Sequence, residues 1–217
     1  MVAHSMVHAI VRFGLYLLAA SLGATLAHAQ DKPNTLTPAE KTEGWQLLFD
    51  GKTLAGWDAR PTFSPATNGD WTVENGAIVC PGVTAGWLSS TGTFSDFHLK
   101  LQFRGARKVN SGVFLRSQKQ GQPHVTGYEL QIWDYQPAGY NTGSLVGTVK
   151  APPTKILADQ WNSYDITADG DHYVIILNGE TLLDAHDAKH LTGAIGFQCQ
   201  LNNKIEFRSI RLLPIRH

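Results

Sequence analysis

The chain has 217 residues, with 18 basic and 18 acidic side chains and only 17% of its residues charged. So balanced and sparse a charge offers no field to steer nucleic acid or an anionic membrane face, and both partner classes are set aside. The 21 glycines and 6 tryptophans point instead to a turn-rich β protein with aromatic surface to spare, a composition that serves packing and sugar binding alike.

The first element in chain order is a leader. Arg12 precedes the apolar run FGLYLLAASLGATLA, which ends in the small-residue pattern AHAQ. That arrangement predicts a secretory signal peptide over residues 1–29, cleaved after Ala29. The run is short for a membrane-spanning helix, and no later stretch is apolar for long enough to span. The expectation is therefore a soluble protein, secreted or periplasmic. Removing 29 of the 217 residues leaves 188, enough for one domain with a sizeable core. Residues 30–43, QDKPNTLTPAEKTE, are polar, hold two prolines and show no periodicity; they read as a flexible arm ahead of a single domain over residues 44–217.

From residue 44 onward, short runs of alternating apolar and polar residues recur between Gly, Asn, Asp and Pro, the pattern of an all-β antiparallel sandwich with little helix. WTVENGAIVC reads as a hairpin turning at Glu74–Gly76. In DFHLKLQF, Phe97, Leu99, Leu101 and Phe103 share one face while His98, Lys100 and Gln102 share the other. The DG and NG pairs in ITADGDHYVIILNGETLL mark tight turns between paired strands.

Three later strands carry more chemistry on their polar faces. In NSGVFLR, Asn110, Gly112, Phe114 and Arg116 alternate against Ser111, Val113 and Leu115. In YELQIW, Glu129, Gln131 and Trp133 alternate against Tyr128, Leu130 and Ile132. In AIGFQCQ, Ala194, Gly196, Gln198 and Gln200 stand opposite Ile195, Phe197 and Cys199. Ordinary solvated faces favour Lys, Glu and Thr; planar amides, Arg and aromatic rings separated by glycine resemble a floor that bonds hydroxyls and stacks on a pyranose. Asp134 has the parity of the core face, which an unpaired carboxylate avoids. A β-bulge after Gln131, or an end to the strand at Trp133, would return it to the polar shelf. Cys80 and Cys199 both fall in apolar strand-like runs, and a disulfide and two reduced core residues remain open.

LLFDGKTLAGW, DFHLKLQFR, NSGVFLRS, GYELQIWD, WNSYDI, GAIGFQCQ and EFRSIRLLPI follow in order the pattern of the secreted family known as DUF1080, the 3-keto-disaccharide hydrolase domain. The sequence resembles that family over roughly residues 44–215. The resemblance implies a concanavalin A-like jelly-roll sandwich of two curved antiparallel sheets, with the ligand on the concave one. The family's functional elements fall on Asn110, Ser111, Gly112 and Arg116, on Tyr128, Glu129, Gln131 and Asp134, and on Gly193, Ile195 and Gln198. The chain departs from the pattern after Gln198, where CQLNN lacks the family's histidine, and at FRS near the C-terminus.

The resemblance also implies an activity, cleavage of a 3-keto-glycoside by C2 proton abstraction, elimination and hydration. On that reading Glu129 is the base and Asp134 the acid, with His124 as an alternative acid. Arg116, Asn110 and Gln131 hold the enolate oxygen or neighbouring hydroxyls, Gln198 binds substrate, Trp133 or Phe114 stacks on the ring, and Tyr140 forms a rim. A divalent metal is left open, and oligomeric state has no signal in the sequence. Two other functions fit the same pattern: a non-catalytic carbohydrate-binding module, and a retaining glucanase, which needs two carboxyl groups about 5–5.5 Å apart.

Overall fold

Alternating side chains sort the chain into two facing sheets. The computed structural model describes residues 32–60 and 69–217; the expected leader lies outside them. The larger sheet takes β1 (Gln46–Leu47), β3 (Thr72–Glu74), β4 (Ala77–Cys80), β6 (Phe97–Gly105), β9 (Asn162–Asp169), β10 (His172–Leu177), β11 (Glu180–His186) and β13 (Ile205–Pro214). The smaller takes β2 (Trp57–Arg60), β5 (Gly86–Ser90), β7 (Ser111–Ser117), β8 (Tyr128–Ile132) and β12 (Ala194–Cys199). Their orders are β11-β10-β9-β6-β13-β4-β3, with β1 beside β13, and β2-β5-β12-β7-β8. The expected all-β sandwich of antiparallel sheets is what forms.

Strand β6 shows the local cause. Its odd-numbered residues from Phe97 to Gly105 are buried, while His98, Lys100, Gln102 and Arg104 are half-exposed, so one side packs and the other meets water. The turns obey the same logic. Asn75 and Gly76 have φ of 50° and 76°, and Asn178 and Gly179 have 51° and 86°. Two successive left-handed residues make the turn whose twist matches a hairpin, and Asn-Gly adopts it at low cost. Between the sheets Phe197 stacks on Phe207 at 4.0 Å and on Trp57 at 5.0 Å between ring centroids. Cys80 of β4 is bridged to Cys199 of β12, with their Cα atoms 5.7 Å apart. Of the two readings open for this pair, the disulfide is the one observed, and it ties one sheet to the other.

The polar segment expected as a flexible arm is ordered from residue 32 onward and carries a helix, α1 (Pro38–Glu43). Thr37 and Glu40 form a reciprocal capping box with Pro38 in the first turn, which satisfies amide groups that six residues could not satisfy alone. Glu40 is anchored to Arg211 of β13 at 2.5 Å. Asn34 accepts from Ser209 N at 2.8 Å and donates to Gly76 O at 2.7 Å. The absence of apolar periodicity misled here because polar anchors, not an apolar stripe, hold the segment.

Candidate active site

The smaller sheet differs from β6 in one respect: every residue of β5, β7, β8 and β12 is buried. Inward lie Leu88, Val113, Leu115, Leu130, Ile132, Ile195 and Phe197. The outward face is built from cross-strand rows. Register pairs Asp58 with Ser89, Ser89 with Gly196, Gly196 with Phe114 and Phe114 with Glu129. The adjacent row runs from Arg60 to Trp87 to Gln198, and from Gly112 to Gln131; Phe197 opposite Val113 places Gln198 beside Gly112 between them. The strands carrying Phe114, Glu129, Gln131 and Gln198 are therefore neighbours on one floor, an adjacency that alternation within each strand leaves open.

The glycines leave room that larger neighbours fill. A Cβ on Gly112 would stand 2.8 Å from Glu129 Oε1 and 2.9 Å from its Cγ, so the Glu129 side chain lies across the bare backbone of β7. A Cβ on Gly196 would meet Phe114 Cδ2 at 3.3 Å, and the Phe114 ring meets Trp87 edge-on, with centroids 6.4 Å apart. Glu129 is 6% exposed and Gln198 7%. Burial pushes the Glu129 carboxyl up to about 7, opposed by a hydrogen bond from the Gln198 side chain. A carboxyl so placed exchanges its proton near neutrality, the property a general base requires.

Other expected residues fall elsewhere. Arg116 was expected on the shelf with Phe114; it points between the sheets instead. Register passes from Gly196 opposite Phe114 to Ala194 opposite Ser117, so β7 has an extra residue there, and Arg116 has a φ of 54°. This bulge inverts its parity. The fully buried guanidinium donates to Ser95 O at 2.7 Å, Gly170 O at 2.6 Å and Tyr173 Oη at 2.7 Å, and pairs with Asp96 at 3.0 Å. Of the two alternatives expected for β8, a bulge after Gln131 or an end at Trp133, the strand ends, at Ile132, and the bulge lies in β7.

Asp134 follows the ending of β8 at Ile132. It accepts from Thr142 Oγ1 at 2.6 Å and from Ile156 N at 3.2 Å, and its charge is felt by the Tyr164 hydroxyl between the sheets. Asp134 thus faces inward and secures the loop 134–156, apart from Glu129 on the outer floor. Gln131 uses its Oε1 on its neighbour Ile132 N, at 3.2 Å. Asn110 donates its backbone N–H to Asn203 Oδ1 at 2.8 Å. Trp133 O accepts from Thr142 N at 3.1 Å, and Tyr140 lies under Lys150 Nζ at 5.1 Å. These last three belong to strand ends and loops. His124 sits on α2 (Pro123–Thr126), by the Ser117 end of β7, where Pro123 O accepts from Ser117 Oγ at 3.0 Å; desolvation moves its pKa down.

Trp87 and Ser89 complete the floor without having been singled out. The run GWLSS alternates Trp87 and Ser89 against Leu88, and its period of two was the available signal. Among the described residues, the one group of three or more His, Cys, Asp or Glu side chains with ligand atoms all within 4.8 Å of one another is Asp96, Asp169 and His217. It includes no residue of this floor.

The profile of the 3-keto-alpha-glucoside-1,2-lyase-like domain matches residues 44–213. The chain belongs to that family. Two candidate glycosyl hydrolases from Parabacteroides distasonis share its fold. One is 23% identical, covering 85% of this chain and all of that one with a TM-score of 0.74; the other is 21% identical, covering 79% and 99% with a TM-score of 0.66. A carbohydrate-binding module from Bacillus subtilis is similar at 18% identity, covering 72% and 94% with a TM-score of 0.54. None of the curated proteins matches the chain significantly. A carbohydrate-active function in a lectin-like sandwich follows from the family, and no helix among the described residues is long and apolar enough to cross a membrane.

Proposed function

We propose that this chain is an exported enzyme that cleaves the glycosidic bond of 3-keto-α-glucosides by elimination and then hydration. The observation that carries this reading is Glu129, a carboxyl buried on the floor whose pKa is raised to about 7. A ketone at C3 acidifies the C2 hydrogen. Glu129 takes that proton, and the C–H electrons form an enolate with its charge on the C3 oxygen, for which the Gln131 side-chain amide, two residues along β8, offers the N–H. As the C3 ketone re-forms, a C1–C2 double bond appears and the glycosidic oxygen leaves C1, gaining a proton to become an alcohol. Water then adds its oxygen to C1 and a proton to C2, releasing the 3-keto sugar.

In the chair form of an α-glucoside the C2–H and C1–O bonds are axial on opposite faces. A base beneath the ring therefore removes the proton while the leaving oxygen departs on the side away from the sheet, where water protonates it. This chemistry needs one buried carboxyl group on the floor, and among the described residues Glu129 is that group, since Asp134 is turned inward and Asp58, at the far end of the row, is exposed. A retaining glucanase would need the second. A purely binding module shares the fold but gains nothing from a carboxyl held near neutrality. Export is supported by the N-terminal leader pattern and by the Cys80–Cys199 bridge, which persists in oxidising compartments.

The test is incubation with a 3-keto-α-disaccharide and with its unoxidised parent. Monosaccharide is expected from the oxidised sugar alone, with a slower rate when C2 carries deuterium. Glu129→Gln should lower kcat by about 10²- to 10⁴-fold, the usual contribution of a positioned base. Hydrolysis of the parent, or full activity in Glu129→Gln, overturns the proposal.

A further inference from the structure

Gln198 turns one half of its amide toward Glu129 and leaves the other, a buried oxygen, without a partner. The Gln198 side chain favours the ionised form of Glu129, and because a carboxylate offers acceptors only, it is the amide nitrogen that is turned toward it. The Gln198 Oε1 then has no hydrogen-bond partner, although the residue is only 7% exposed. Neighbours close off the ways to relax. On one side Trp87 stands opposite Gln198; on the other is the bare backbone of Gly112, already crossed by Glu129. A buried acceptor left unpaired destabilises the fold unless something else supplies the hydrogen, and the one direction not occupied by the sheet is the outer face of the floor.

We propose that Gln198 is a specificity determinant: its Oε1 accepts a hydrogen bond from a ligand hydroxyl beside the carbon that Glu129 deprotonates, so the site takes hydroxylated pyranosides and rejects the matching deoxy sugar. This rests on reading the floor as a sugar site. It adds an ordered division of labour, in which Glu129 sets the amide and the amide reads the sugar. A ketone oxygen cannot meet this demand, being an acceptor itself, so Gln198 pairs with a hydroxyl next to the keto group and not with the keto group. Selectivity follows from chemistry already in place, since a site with a committed buried acceptor discriminates sharply against a ligand lacking the donor.

The probe is a 3-keto-α-glucoside analogue with a methyl group joined to C1 by carbon, which binds without a leaving group to lose, together with its 2-, 4- and 6-deoxy forms. Calorimetry should show the 2- or the 4-deoxy form binding wild type on the order of ten- to a hundred-fold more weakly than the parent analogue, with the 6-deoxy form binding as the parent does; a loss confined to the 6-deoxy form, or no loss with any, overturns the proposal. In Gln198→Met, similar in size but with neither donor nor acceptor, the same deletion should cost almost nothing further. Equal losses in both proteins, or no binding of the parent analogue, overturn the proposal. A second readout needs no ligand. With the amide donor gone, the Glu129 carboxyl followed by carbon-13 NMR should titrate at higher pH in Gln198→Met; an unchanged midpoint also overturns it. Turnover of the corresponding O-glycoside is measured separately, so binding without cleavage would sink the lyase reading while leaving hydroxyl selection decided.

Discussion

At the scale of single residues, the catalytic candidate is held against its own preference. Glu129 is 6% exposed, and its pKa of about 7 lies above the ordinary value of 4.5. Between those two pH values the folded chain keeps a proton that the unfolded chain has released. The stability this group contributes is therefore full below about pH 4.5 and lost as pH rises through 7. Glu129→Gln removes the penalty, and above pH 7 it should stabilise the fold by about 3 kcal/mol, taking 1.36 kcal/mol for each pH unit of the difference. Thermal melts of the two proteins should separate at pH 8 and converge at pH 4.5; equal melting temperatures at pH 8 would mean that Glu129 is not desolvated. A loss of activity joined to a gain in stability is the mark of a residue kept for chemistry. The facing of Glu129 was legible because YELQI alternates without interruption. Its burial was not, because burial comes from Gly112 and from Gln198, 69 residues further along the chain.

At the scale of elements, a period of two gives the facing of each residue wherever a strand keeps it and misplaces Arg116 where β7 gains a residue. NSGVFLR alternates cleanly in writing, so nothing in its pattern says that Arg116 leaves the row begun by Gly112 and Phe114. The bulge is fixed by distant partners. A Cβ on Gly193 would come within 2.3 Å of the Arg116 carbonyl, so a bare residue must enter β12 for the two backbones to approach this closely. Arg116 then joins Ser95 O, the Gly170 turn and His190 O at 3.3 Å, with Tyr173 of the larger sheet between them. Arg116→Met leaves these acceptors and Asp96 without their donor, and urea unfolding should show a loss of about 3–5 kcal/mol, the cost of breaking a buried ion pair from one side. A loss under about 1 kcal/mol, the range of an exposed pair, would return Arg116 to the list of groups available for chemistry. The α1 segment is the converse case: its capping box was written in TPAE, and a reading keyed to apolar periodicity passes over helices secured by polar caps.

At the scale of the whole molecule, two sheets whose inner faces were readable strand by strand are joined in a way no single strand reveals. Which strands adjoin depends on crossovers such as β6 lying between β9 and β13, and the pairing of Cys80 with Cys199 depends on how the two sheets are set against each other. The bridge closes a separation of 119 residues. It spans much of the domain and constrains the unfolded chain heavily, so replacing both cysteines by alanine should cost about 2–5 kcal/mol. Wild type treated with a thiol reductant should melt at the temperature of the double variant, and the variant itself should not respond to reductant. Because Cys199 points inward while its neighbour Gln198 lies on the floor, folded variant protein should keep the activity and sugar selectivity of wild type below its lowered melting point. Selectivity lost in step with the disulfide, at temperatures where the variant is still folded, would show instead that the bridge sets the position of β12 and so the register in which Gln198 meets Glu129.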